Sequence, residues 1–303
     1  MRSSRLAIAF VALLGVVTVA CAKSNTTSTQ PTASPTPTTS IGQCVNNAGA
    51  QEPAAPKGVD FKTQLKQAGT LNIGSDNAYP PFESIPTGQK VPVGFDVDLY
   101  TEIAKRLGLT AKSTTTSFDG LFTSSLPTGT FDLGISAITI KETRKRTVDF
   151  TTPYFVANLS LAVDPSKNPT IKTIDDLTGQ TVGVQSGTTS EDCAKALKVQ
   201  GKLKDVKSYD TSTLSFDDLV AGRVAAVIND TPASVGIIAT RTTIKITQII
   251  ETNEKYGFAI SKNKPDLRVA VDNALKAMMT DGTYATIYKT WFKTEPPFKV
   301  PIE

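Results

Sequence analysis

The chain has 303 residues, of which 39% are hydrophobic and 20% charged, with a formal net charge of +4 and a sequence pI near 8.8. Acidic and basic residues are interspersed, so the charge gives no reason to expect nucleic acid. Histidine is absent, which excludes Ser-His-Asp triads, histidine-bearing zinc sites and the commonest general base, and no metal or cofactor is expected.

The first element is an export signal. Arg2 and Arg5 precede a run from Leu6 to Val19 that is apolar but for Thr18, too short for a bilayer span of roughly 20 residues. Its end, "TVACAKS", carries two readings. Ala20 before Cys21 resembles a lipobox, with Thr18 in place of the usual Leu or Val, while Ala20-Cys21-Ala22 also fits an ordinary small-x-small cleavage site. The next stretch favours lipid: residues 24–56 are rich in Thr, Ser, Pro, Asn and Ala and cannot bury a core. We therefore expect a lipoprotein signal peptide over 1–20, acylation of Cys21, and a lipid-anchored disordered tether over 21–57. By random-coil scaling it reaches roughly 30 Å. Cys44 and Cys193 are then the two thiols left in an oxidising compartment, and they are expected to pair.

From residue 58 onward lie about 245 residues, enough for two lobes, in which short apolar runs alternate with helical patterns. "TLNIGS" (70–75) reads as a strand. "DVDLYTEIAKRLG" reads as a helix, with Val97, Tyr100, Ile103, Ala104 and Leu107 on one face, a Glu102–Arg106 i,i+4 pair and Gly108 beyond its end. "SFDGLFTSSL" reads as a second helix and "FDLGISA" as a strand. Near Ile174 the pattern restarts: strand, glycine turn and helix in "TVGVQSGTTSEDCAKAL", with Thr188 and Glu191 spaced as a capping box. "FDDLVAGRVAAVIND" then echoes "SFDGLFTSSLPTGTFDLGIS". Helices over 266–280 and 283–292 carry apolar faces suited to a core. The expected division is lobe 1 over 58–158, lobe 2 over 159–255 and a return to lobe 1 over 256–303, with crossings near 156–163 and 253–261.

In open α/β sheets, ligands lie beyond the carboxyl ends of the strands. Four such ends are polar here: Asp76 and Tyr79 before a Pro-Pro pair; Ser136, Ala137 and Thr139 followed by Arg144; Gln185, Thr188 and Thr189 opening a helix; and Asp230 before Pro232. Singly, each has a plain structural explanation as a cap or a surface charge. Together they suit a zwitterion. An α-carboxylate needs a guanidinium and helix N-terminal N–H groups, which Arg144 and "GTTSE" supply, and an α-ammonium needs a carboxylate such as Asp230. In "KETRKR" (141–146), Arg144 is expected to serve the site, and Lys141, Lys145 and Arg146 to form a solvated face.

The segments "IGSDNAYPPFE", "GFDVDLYTEIAKRLG", "FDLGISAITIKETRKRTVDFTTPY", "GQTVGVQSGTTSE", "AAVINDTPAS" and "DGTYATIYKTWF" resemble the polar amino-acid-binding proteins of ABC importers, the family 3 solute-binding proteins. The resemblance implies an α/β, two-lobed type II periplasmic-binding-protein fold with its ligand in the cleft. It also implies a monomer that delivers a polar L-amino acid to an ABC permease and its ATPase at the outer face of the cytoplasmic membrane. By that resemblance, Arg144 takes the α-carboxylate with the backbone of Thr139 and Thr189, Asp230 takes the α-ammonium with Ser136, Tyr79 and Phe118 flank the aliphatic part, and Asp76 and Gln185 face the side chain. Ala137 stands where many members carry a second serine. Two other classes share the scaffold. A cyclohexadienyl-dehydratase-like enzyme needs a general acid in the cleft, and the two carboxylates placed there already have binding roles. A receptor sensing domain needs a membrane span and a signalling domain after the lobes, whereas this sequence ends at Glu303.

Overall fold

The computed structural model describes Cys44 and residues 53–302. The signal segment and Cys21 lie outside the described residues. The first lobe opens with β1 (Thr70–Ser75), β2 (Ala78–Tyr79), β3 (Glu83–Ser84), α1 (Phe95–Arg106), β4 (Thr110–Thr115), α2 (Phe118–Gly120), β5 (Leu133–Gly134), α3 (Glu142–Lys145) and β6 (Val148–Phe150). The chain then crosses on β7 (Phe155–Val163) and builds β8 (Thr181–Gln185), α4 (Thr189–Val199), β9 (Asp205–Tyr209), α5 (Ser212–Ala221), β10 (Ala226–Asp230) and α6 (Thr231–Ile238). It returns on β11 (Lys245–Tyr256) and ends with β12 (Ala259–Ser261), α7 (Pro265–Thr280) and α8 (Thr283–Phe292).

Two five-stranded sheets result, in the orders β4-β1-β5-β12-β6 and β11-β7-β10-β8-β9. In the first, β1 runs parallel to β4 and β5, while β12 is antiparallel to β5 and β6. In the second, β8 is parallel to β9 and β10, and β7 is antiparallel to β10 and β11. The parallel strands are joined through helices, so their carboxyl ends share one edge of each sheet, the edge at which α/β proteins place ligands.

Helix α1 forms where the apolar spacing predicts. It buries Phe95, Leu99, Tyr100, Ile103 and Ala104, is closed by the Glu102–Arg106 pair at 2.9 Å, and is followed by Gly108 at φ +66°. The helix expected over "SFDGLFTSSL" forms over 118–125 and changes type partway along. After α2 the chain widens into a π turn over Leu121–Ser125, closed by Leu126 N–H on the Leu121 carbonyl at 3.0 Å. The Thr123 and Ser124 hydroxyls bond back to the carbonyls of Asp119 and Gly120, a local alternative to the helical ladder. Helices α7 and α8 fold back on the first core, where Val271, Leu275, Met278, Tyr284 and Tyr288 join Phe82, Phe95 and Phe155. Their aromatics pack the core, and Trp291 donates to Asp98 at 2.7 Å.

Strands β7 and β11 carry the chain between lobes as one antiparallel ribbon. Phe155, Ala157 and Tyr256 belong to the first core, and Leu159, Leu161 and Ile250 to the second. At the change-over the register shifts between Ile250 and Glu254, and Asn253 takes φ +49°. The Asn158 side chain caps the bulge, accepting from the backbone N–H of Thr252 and Asn253 at 3.0 and 2.9 Å.

The disulfide expected between Cys44 and Cys193 is present, anchoring Cys44 to α4 in the second core. Residues 53–57, which the sequence reading assigns to the tether, lie against the first lobe. Ala54 N–H bonds Asp149, and the N–H groups of Lys57 and Gly58 bond Asp266.

Candidate ligand-binding site

The polar strand ends meet between the two sheets. β1 delivers Asp76, β8 ends at Gln185 and turns through Gly187 into α4, and β10 ends at Asp230 and opens into α6 with proline in its first turn. Gly187 sits at φ +74°, and a Cβ there would lie 2.7 Å from the Asp119 carboxylate, so this turn requires glycine. Asp76, Tyr79, Phe118, Ser136, Ala137, Thr139, Arg144, Gln185, Thr188, Thr189 and Asp230 line one small cavity. Every sequence-derived candidate for ligand contact is thus brought to this cavity.

Side chains of the two lobes touch across it. Gln185 Nε2 donates to Asp76 Oδ2 at 2.9 Å, and Tyr79 donates to Asn229 Oδ1 at 3.2 Å. Arg144 donates to the Thr139 carbonyl at 2.7 Å within its lobe and to the Gly187 carbonyl at 2.9 Å across the cleft. Its guanidinium lies over Phe118 and Phe122, 5.0 and 4.6 Å from the ring centroids. The π turn after α2 sets those rings beneath it. Ser136 Oγ accepts from Asp76 N–H at 3.1 Å and donates to Glu83 Oε1. Thr188 caps α4, accepting from Glu191 N–H at 3.1 Å. The return arm of the expected capping box lands one residue early, with the Glu191 carboxylate accepting from Gly187 N–H at 3.0 Å.

Three groups near the cavity were not singled out from the sequence. Glu254 on β11 accepts from the hydroxyls of Thr139 and Thr189, at 2.6 and 2.9 Å. Asn229, beside Asp230, accepts from Tyr79 and Ser212. Behind Ser136, the buried carboxyls of Glu83 and Asp96 support the loop. Asp96 accepts from Ala137 N–H and the Tyr154 hydroxyl, and Ala137 is held at φ +47°. Glu254 lies on the buried side of β11, where Thr252, Glu254 and Tyr256 are buried and alternate with exposed Glu251, Asn253 and Lys255. Lys141 also departs from the solvated face expected for it. It is buried and reaches Asp192 of the other lobe at 2.5 Å, while Lys145 is half-buried and pairs with Glu142 at 3.4 Å; Arg146 is exposed as expected. Proximity between lobes, which the linear pattern does not carry, draws Lys141 inward.

The cavity has a surplus of acid. Burial pushes Asp76 up to about 6 against the pull of the Gln185 amide. Burial likewise raises Asp230 to about 6, opposed by the Tyr256 and Tyr79 hydroxyls and by Arg144. Burial, then the neighbouring Asp230, raises Glu254 to about 7. Arg144 is brought down to about 10 by burial, and so stays charged at neutral pH. No cluster of three or more His, Cys, Asp or Glu side chains suited to a metal ion occurs among the described residues.

Two α/β lobes joined by a crossover ribbon, with polar strand ends converging on the cleft between them, define a periplasmic-binding-protein fold of type II. The chain belongs to the bacterial extracellular solute-binding proteins, family 3, whose profile matches residues 71–294. It is 35% identical over 230 residues to the L-cystine-binding protein TcyJ of Escherichia coli (strain K12), covering 76% of this chain and 85% of that protein. It is 34% identical over 237 residues to ABC transporter arginine-binding protein 1 of the same strain, covering 77% and 94%. Among solved structures, an ancestral arginine-binding protein bound to arginine superposes with a TM-score of 0.70 at 37% identity, covering 74% of this chain and 98% of that one.

Proposed function

We propose that the protein is an exported receptor for a free L-amino acid with a basic or amide side chain, which it hands to an ABC permease and its ATPase. In this reading Arg144 receives the α-carboxylate together with backbone N–H groups of Thr139 and Thr189. Asp230, with Ser136, receives the α-ammonium. Tyr79 and Phe118 flank the aliphatic portion, Asp76 and Gln185 meet the end of the side chain, and Ala137 and Thr188 complete the wall.

The observation that carries the reading is the charge balance of the cavity. Against one guanidinium stand the carboxyls of Asp76 and Asp230 in the lining, with Glu254 held behind it by Thr139 and Thr189. A zwitterion alone leaves that surplus unanswered, whereas a cationic side chain offsets it and an amide tolerates it. An acidic side chain would add a like charge in a desolvated cleft, at a cost of several kcal/mol. The relatives named for arginine support the same choice. Asp76 and Asp230, the carboxyls that line the cavity, are both taken up by binding roles, which favours a receptor over an enzyme.

The lobes are proposed to divide at 158/159 and 255/256 and to close about the β7–β11 ribbon. The bulge at Asn253, capped by Asn158, is the point at which the backbone bends. The signal, the acylated Cys21 and the Thr/Ser/Pro-rich tether hold the receptor at the outer face of the cytoplasmic membrane.

Asp76→Asn tests the assignment of the side-chain pocket. The amide still accepts from Gln185 but has lost its charge. L-Arginine affinity is expected to fall at least about tenfold, and L-glutamine affinity by less than about threefold, by calorimetric titration. Equal losses for both would remove Asp76 from the side-chain end of the ligand.

A further inference from the structure

One carboxylate at the cleft has no part in the binding roles above. Glu254 lies on β11 where the ribbon passes between the lobes, and it is 4% exposed. Its Oε2 accepts one hydroxyl from each lobe, Thr139 from the first and Thr189 from the second. Its Oε1 is buried without a hydrogen-bond partner among the described residues, and so is Nε of Arg144. The charged and titratable groups facing it are Arg144 on α3 and Asp230 at the end of β10, with the hydroxyls of Tyr79 and Tyr256 also in its field. Glu254 is in turn the foremost negative charge favouring the Arg144 guanidinium, ahead of Asp192, Asp230 and Asp119.

We propose that Glu254, held by the same two threonines whose N–H groups receive the ligand's carboxylate beside Arg144, takes up a proton when that carboxylate binds, so that ligand binding is coupled to protonation of the cleft. This rests on the reading that Arg144 receives the α-carboxylate. Two carboxylates set against one guanidinium in a desolvated cleft, with Asp230 alongside, do not both stay ionised. The incoming one is fixed by its guanidinium and N–H donors, so the resident one yields. The proton comes from solvent and goes to Oε1, the oxygen that lacks a partner, while Oε2 goes on accepting from both threonines. Of the cleft acids, Glu254 is suited to this near neutrality. Asp76 is held by the Gln185 amide and Asp230 by the Tyr256 hydroxyl, and an ammonium or a cationic side chain keeps them ionised, whereas Glu254 has an oxygen without a partner among the described residues.

Calorimetric titration of the wild-type protein with L-arginine and with L-glutamine at pH 7.5, in phosphate and in Tris buffer, counts protons exchanged with the buffer. The expected result is net proton uptake on binding, of less than one proton per ligand. Glu254→Gln keeps an oxygen for both threonine hydroxyls but cannot titrate, and it is expected to bind without uptake. Binding with no proton exchange in the wild type overturns the proposal without the variant, and undiminished uptake in Glu254→Gln overturns it by assigning the proton elsewhere. If neither amino acid binds the wild-type protein, the amino-acid reading falls and this proposal with it. Binding without uptake overturns this proposal alone.

Discussion

Arg144→Ala is expected to lower amino-acid affinity by about thirtyfold to several thousandfold, the equivalent of roughly 2–5 kcal/mol for truncating one partner of a buried charge pair. The structure makes the loss larger than a missing charge alone. The guanidinium is 4% exposed, stacks on Phe118 and Phe122, and spans the cleft to the Gly187 carbonyl, so its removal also takes away a contact that holds the lobes together. Asp230 and Glu254 would be left without the cation that offsets them. Lys145 is half-buried and paired with Glu142, so exposed Arg146 is the neutral control. Arg146→Ala is expected to change affinity by less than about twofold. Calorimetry on both variants checks this, and equal losses would place the ligand away from Arg144.

The second large effect concerns closure. Gly236 lies within α6, where an ordinary residue would favour the helix by up to about 1 kcal/mol. Its helix gives no reason for glycine, but the other lobe does: a Cβ at Gly236 would lie 2.4 Å from the Pro80 carbonyl oxygen and 3.0 Å from Pro81 Cδ. Gly236→Leu therefore wedges the cleft while leaving each lobe's own core intact. The expected outcome is at least a tenfold loss of affinity, an unchanged or raised Tm for the free protein, and no ligand-induced fall in radius of gyration by small-angle scattering. The wild type is expected to contract with saturating ligand. Contraction and affinity like those of the wild type would show that the Pro80–Gly236 contact is not part of closure.

Much of the site was legible in the sequence because its groups sit at strand ends, where an apolar run stopping at polar residues marks the position directly. "NIGSD", "VGVQ" and "AVIND" each deliver their last residue, Asp76, Gln185 and Asp230, to the cavity. Arg144 was separable from its basic neighbours only in part. The motif singled it out, but Lys141 also turns inward because Asp192, 51 residues away and in the other lobe, lies beside it. Glu254 escaped for a different reason. It sits in the crossover ribbon rather than at a strand end, and its buried face becomes meaningful only once Thr139 and Thr189 are brought to it from separate lobes. The change from α to π geometry after Gly120 goes with hydroxyl groups bonding back to their own turn, a competition that apolar periodicity does not register.

The most direct measurement is a calorimetric titration of the wild-type protein with L-arginine, L-glutamine and L-glutamate under one set of conditions. The acid surplus around Asp76, Asp230 and Glu254 predicts that arginine or glutamine binds, and that glutamate binds at least about tenfold more weakly than the better of them. Glutamate as the tightest ligand would contradict it, since a cation that the described cavity does not contain would then have to face the ligand's side chain.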